Sequence, residues 1–203
     1  MSKRPALFSN RSKPRQYLTL GVIVVLAASA VWNNAQEDGG EGLAVNTAKG
    51  EYLLEVQVRQ VIDGDTFNAQ ANGTTHRVRM ASIDAPEQHR NSDQPGQPFA
   101  QASREHLASL IAGQHVNLRC FEQDNYGRDV CDVHATGGAT VNEQMVAAGY
   151  AWANTEKQGK FLRDGNLVNV QQDARAQKRG LWERTDAKAP WVWRYDCWQQ
   201  GKC

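Results

Sequence analysis

Beyond residue 50 the spacing of apolar positions predicts most of the elements. Leu53, Leu54, Val56 and Val58 run in near-alternation towards Val61, the period-two pattern of a strand with one buried face. Thr66–Gln70 continues as a second strand, and Asn72-Gly73 is a strong hairpin signal. From His76 to Ile83 the chain alternates again, with Val78, Met80 and Ser82 on one face and Arg77, Arg79 and Ala81 on the other. The period then changes to 3.6. Phe99, Ala102, His106, Leu107, Leu110 and Ile111 predict a helix over 99–112, opened by Pro98 and closed by Gly113. Val116–Phe121 and Asp129–Ala135 read as two more strands, with Gly137-Gly138 turning the chain. A short helix follows over Glu143–Ala148, with Asn142 as its cap and Gly149 as its stop. A third runs from about Leu162 to Lys178 and ends at Gly180. Three strands, a helix, two strands and two helices predict an α+β fold: a small five-stranded OB-like β-barrel with about three α-helices.

The first 50 residues follow a different logic. Residues 1–16 form a basic flank carrying Lys3, Arg4, Arg11, Lys13 and Arg15 without an acid. Residues 17–32 carry no charge at all. As a helix this stretch would span about 24 Å, somewhat less than a ~30 Å hydrocarbon core. Two readings stand: a cleaved signal peptide ending at Ala28-Ser29-Ala30, or an uncleaved N-terminal anchor helix. Both keep the basic flank in the cytoplasm and carry the rest outside, either membrane-anchored or secreted. Residues 33–50 have the polar, Gly-rich composition of a linker. The main domain is expected over 51–183, followed by an aromatic, Cys-containing tail over 184–203.

Composition adds little except by exclusion. The 203 residues are 40% hydrophobic and 22% charged, which suits one globular domain with tails and not a multi-span membrane protein. The net charge of +1 conceals a basic N-terminus and an acidic remainder, so overall basicity does not argue for nucleic-acid binding. Four cysteines allow three pairings. Cys120 and Cys131 lie on successive predicted strands, which suits a cross-strand bridge. Cys197 and Cys203 are near neighbours and suit a small closed loop. A zinc site is the rival, but the spacing lacks a Cys-x-x-Cys pair.

Three short stretches concentrate the chemistry. Asp63-Gly64-Asp65 places two acids at a bend. Arg79 precedes Asp84-Ala85-Pro86-Glu87 at the end of a strand. Asp124-Asn125-Tyr126-Gly127-Arg128 turns into the next one. Oxygen-only ligands favour a hard cation such as calcium or magnesium. Two guanidiniums can fork onto phosphate oxygens, and a carboxylate beside them can position or deprotonate a water. These are the parts that phosphodiester cleavage needs. Taken singly each stretch has a plainer meaning: turn-forming acids, an outward strand charge, a hairpin-tip arginine.

In this order and on this strand plan, the three stretches resemble the thermonuclease (staphylococcal or micrococcal nuclease) family. Val141–Ala151 and Arg179-Gly180-Leu181-Trp182 match it as well. The resemblance implies an OB-like barrel and a calcium-dependent phosphodiesterase that produces 3′-phosphate ends; DNA and RNA are the expected substrates, single strands preferred because a small groove does not easily admit a rigid duplex. It implies Asp65 and Asp84 as direct calcium ligands, joined by the backbone carbonyl of Ala85, with Asp63 supporting them from behind. Glu87 would be the general base. Arg79 and Arg128 would clamp the scissile phosphate, and Tyr126 would touch a terminal phosphate. A monomer is expected. Some positions depart from the best-known member. Ala85 replaces a hydroxyl residue and Asn125 a lysine. The loop Gln88–Gln97 and everything after Trp182 are unshared, and Tyr150 and Trp152 are candidates to line a base pocket. The alternative is a non-catalytic module of the same fold that binds nucleic acid or protein. Such modules typically lose the arginines or the acids, and this chain keeps all five of Asp65, Arg79, Asp84, Glu87 and Arg128.

Overall fold

The computed structural model describes residues 50–136 and 138–203. The basic flank, the apolar stretch and the linker up to residue 49 lie outside the described residues. No helix among the described residues is long and apolar enough to cross a membrane.

Five strands close a barrel in the order β1-β2-β3-β6-β5. They are β1 (Tyr52–Val61), β2 (Thr66–Ala71), β3 (Thr74–Met80), β5 (His115–Gln123) and β6 (Asp129–His134). All neighbours are antiparallel except β3 and β6. The expected α+β barrel is therefore present. Val56 and Val58 point inward from β1, and a register shift between Val58 and Gln60 restores Val61 to the same interior. This bulge explains why the alternation in the sequence falters at Arg59. Asn72 and Gly73 both have positive φ, 48° and 79°, as the tight β2–β3 hairpin requires.

The third predicted strand does not run unbroken to Ile83. It stops at Met80, and Ser82 turns it with φ at 64°. The chain resumes as the two-residue strand β4 (Ile83–Asp84), which pairs with β7 (Trp152–Ala153). Ser82 is held in that turn by its neighbours: its carbonyl accepts from Asn154 N at 2.8 Å and its hydroxyl from Arg163 N at 2.8 Å. The break lifts Asp84 off the barrel wall while Arg79 stays on it.

The helices are α1 (Ala100–Ile111), α2 (Val141–Ala147) and α3 (Leu167–Ala176). Leu107 and Ile111 of α1, Met145 and Val146 of α2 and Leu167 of α3 pack with Phe67, Val78, Met80 and Leu118 of the barrel into one core. Asn142 does not cap α2 as its sequence position suggested. Thr140 does, its hydroxyl accepting from Glu143 N at 3.1 Å. Asn142 is buried one residue inside the helix, where its amide bonds Val133 N, Ala81 O and Cys131 O and ties α2 to β6 and to the turn after β3. The third helix begins five residues later than predicted, because the segment before it carries Gly159 and Gly165 and an irregular turn over Glu156–Gly159.

Cys120 and Cys131 face each other across β5 and β6 and are bridged; Cys197 and Cys203 close a loop. The tail is part of the fold. One helical turn, α4 (Pro190–Trp193), runs on into a π-helical segment, Arg194–Gln199. Trp193 is buried, and Trp191 packs against a second cluster built from Trp152, Ala174, Leu181 and Trp182.

Candidate active site

Asp65 enters at the start of β2 through a tight turn. Ile62 N and Asp63 N both donate to Thr66 O, and Asp65 N donates to Asp63 Oδ1 at 3.0 Å. Asp63 thus shapes the loop that carries Asp65. Gly64 permits the approach of this loop to α1: a Cβ there would stand 1.9 Å from Ser103 Oγ and 2.7 Å from the Ala85 side chain.

Asp65 and Asp84 are both buried, and both turn towards Arg79. Nη2 of Arg79 lies 3.2 Å from Asp65 Oδ2 and 2.8 Å from Asp84 Oδ1. Ala85 N donates to Asp65 Oδ2 at 2.8 Å, fixing the β4 end against the β2 start. Burial pushes the Asp65 carboxyl up to about 7; Arg79 pulls it down, and the Asp63 and Asp84 charges push the same way as burial. Glu87 is raised as well, again chiefly by burial, with a guanidinium from Arg194 opposing. Glu87 is gripped at its backbone by Gln97, whose N–H donates to Glu87 O at 2.8 Å and whose Oε1 accepts from Glu87 N at 3.2 Å.

Arg128 and Tyr126 stand apart from this group, on the β5–β6 turn. Asp124 organises that turn: its Oδ1 accepts from Tyr126 N and Arg128 N, and its Oδ2 from Arg128 Nε at 2.7 Å. The β3–β6 register pairs Arg79 with Val130, two residues beyond Arg128. Both arginines therefore belong to one face of the wall, about 7 Å apart along the strand direction. Tyr126 is 83% exposed. Tyr150 and Trp152 are committed to packing, Tyr150 stacked on His106 at 4.4 Å and Trp152 edge-on to Trp182 at 5.0 Å.

The donor set fits a hard cation. Two carboxylates converge on one point, now held by a guanidinium nitrogen, and all the available donors are oxygens. No group of three or more His, Cys, Asp or Glu among the described residues is arranged around a common centre. Any ion here would complete its shell with a backbone carbonyl and water.

Sequence reasoning missed one participant. Arg194, from the tail, places Nη1 2.6 Å from Glu87 Oε1 and Nη2 2.8 Å from Asp84 Oδ2. A single cation among aromatic residues was the only local signal, and it does not distinguish a surface charge from an active-site one.

The family model described as staphylococcal nuclease homologue matches residues 77–184, which take in Arg79, Asp84, Glu87 and Arg128. The chain belongs to the staphylococcal nuclease family. It is 37% identical over 139 residues to an "Uncharacterized endonuclease" of Escherichia coli O157:H7, covering 68% of this chain and 84% of that protein. It is 38% identical over 146 residues to a "Micrococcal nuclease" of Shigella flexneri, covering 68% and 79%. "Protein ParB" of Escherichia coli is 32% identical over 149 residues, covering 70% and 79%. Membership makes the chain a nuclease and hence a hydrolase.

The Asp65 shift has a consequence for stability. Its folded value, about 7, exceeds the ordinary 3.8, so between about pH 4 and pH 7 the native state keeps a proton that the unfolded chain has lost. Stability from this group therefore falls as pH rises through that window. Thermal melts in EDTA from pH 5 to 8 are expected to show the decline, and Asp65→Asn is expected to flatten it.

Proposed function

We propose that this chain is a calcium-dependent nuclease that hydrolyses DNA and RNA, prefers single strands and leaves 3′-phosphate ends. The observation that carries the reading is the convergence of Asp65 and Asp84 on Arg79, with Glu87 brought beside Asp84 through Arg194. Asp65, Asp84 and the Ala85 carbonyl would hold calcium, with Asp63 bracing the loop that presents Asp65. Calcium bound there supplies Lewis-acid polarisation of the phosphoryl oxygen.

The chain's own residues supply the rest. Arg79 meets the carboxylates through Nη2, which leaves Nε and Nη1 to face a phosphate. Arg128 binds a second phosphate oxygen from the same face of the wall, and the pair offsets the charge that builds up as the 5′ oxygen departs. Glu87 accepts the proton of the attacking water. Tyr126, exposed at the turn, reaches a terminal phosphate. The enzyme acts outside the cytoplasm as a monomer, anchored or released through residues 17–32. That placement rests on the basic-then-apolar order of the N-terminus, with two disulfides in keeping.

The test is hydrolysis of single- and double-stranded DNA and of RNA by the full chain in calcium, in magnesium and after EDTA. Cleavage in calcium that EDTA abolishes, with product ends that a phosphatase shortens in charge, is expected. A folded chain inactive with every metal would overturn the reading.

A further inference from the structure

We propose that Arg194 is a positioning residue of the active site, and that the C-terminal extension exists in part to deliver it. The inference rests on the nuclease reading above. The guanidinium spans two carboxylates with different tasks. Nη1 takes Glu87 Oε1 at 2.6 Å and approaches Asp84 Oδ1 at 3.3 Å, while Nη2 takes Asp84 Oδ2 at 2.8 Å and lies 3.8 Å from Glu156. This fork fixes Glu87 relative to Asp84, the distance that sets where a water held by Glu87 would stand.

The tail is anchored without the help of that ion pair. Trp193 Nε1 and Trp198 Nε1 both donate to Pro95 O, at 3.3 and 3.0 Å. Gln97, which grips the Glu87 backbone, also donates through Nε2 to Lys188 O at 2.6 Å. Arg90 reaches Glu87 Oε2 at 3.3 Å and covers the Trp198 ring. The loop 88–97 and the tail thus form one support around Glu87. Arg194 arrives on a seated backbone, so forking onto the acids costs only its side-chain freedom.

The arrangement is a brace and not a plug. Asp65 and Asp84 converge on Arg79 through Asp84 Oδ1, whereas the closest contact of Arg194 to Asp84 is with Oδ2. Arg79 takes Oδ1 at 2.8 Å, and Arg194 reaches that oxygen only at 3.3 Å, its main grip being on Oδ2. Arg194 also offsets the mutual repulsion of the Asp84 and Glu87 carboxylates, which lets them stand close together.

The test compares Arg194→Ala, Arg194→Met and Arg194→Lys with the wild type in the full chain. Three quantities are read: kcat and KM on a single-stranded oligonucleotide, calcium affinity by calorimetry without substrate, and thermal midpoint. For Ala and Met, kcat is expected to fall ~10–100-fold with KM changed less than about threefold. Calcium should bind at least as tightly as to the wild type, because a cation beside Asp84 has gone. Lysine should recover only part of kcat, since an ammonium cannot fork across two carboxylates. Free guanidinium ion at sub-denaturing concentration should raise the activity of Arg194→Ala but not of the wild type. Wild-type kcat in Ala and Met, or a higher kcat, would overturn the proposal in favour of no role or of a blocking role. Parallel loss of activity, calcium binding and thermal midpoint without guanidinium rescue would overturn it in favour of a purely structural one. An inactive wild type would sink the nuclease reading itself, an outcome distinct from either.

Discussion

Arg79→Ala is expected to lower kcat/KM by about 10³-fold and to destabilise the calcium-free chain by about 3–5 kcal/mol. The two effects have separate origins. On the proposed mechanism, catalysis loses a preorganised donor for the phosphate. Folding loses the only guanidinium that touches both Asp65 and Asp84 among the described residues, whose side chains are 3% and 1% exposed. Two buried carboxylates then face each other across the vacated position, which is costly unless one takes a proton or a cation moves in. Calcium should accordingly recover much of the lost stability and little of the lost activity. Denaturant melts with EDTA and with calcium, run beside initial rates, check both halves. Retained activity in a destabilised variant would make Arg79 a structural counter-ion only. Arg79→Lys sharpens the comparison: it keeps the charge and should restore stability further than rate, because the ammonium lacks the second and third donor edges.

The parts of this site that were legible in the sequence are those held by local geometry. Asp63 and Asp65 belong to one turn, Asp84 and Glu87 to one strand end, Tyr126 and Arg128 to one hairpin. Their spacing along the chain is therefore also their spacing in space, to within a few residues. The barrel was legible for the same reason, since period-two runs such as Val56-Val58 and Val78-Met80 each record one buried face. Pairing of Cys120 with Cys131 followed once β5 and β6 were neighbours.

What escaped depends on tertiary contacts. The break at Ser82 is imposed by Asn154 and Arg163, some 70 to 80 residues away in sequence, and nothing within His76–Ile83 announces it. Asn142 looked like a cap because Asn favours that position, yet its amide is worth more bridging Val133, Ala81 and Cys131 in a dry interior, and Thr140 was at hand to cap instead. Arg194 is the extreme case. It lies 107 residues from Glu87 and 110 from Asp84, and the docking of the tail, with Trp193 and Trp198 on Pro95 and Lys188 on Gln97, brings it there.

Glu87→Gln separates chemistry from stability in the opposite direction to Arg79→Ala. As the proposed proton acceptor, Glu87 should account for ~10²–10⁴-fold in kcat, and an amide cannot replace it. Stability should not follow. Burial raises the Glu87 carboxyl above its ordinary range, so at neutral pH the ionised side chain is more costly in the folded chain than in the unfolded one. Glutamine removes that charge, and its Oε1 can still accept from Arg194, which keeps Asp84 as a partner. The expected result is a much slower enzyme whose thermal midpoint at pH 7 matches or exceeds that of the wild type. The acid limb of its pH–rate profile should also be lost, because that limb reports the protonation of the base. A variant both slow and unstable would mean that Glu87 serves mainly as an anchor for Arg194 and Arg90, and the base would have to be sought among the waters around Asp65 and Asp84. A variant that is slow, stable and insensitive to acid leaves Glu87 as the group that takes the proton. It also makes the strain of burying that carboxylate a property of catalysis and not of folding.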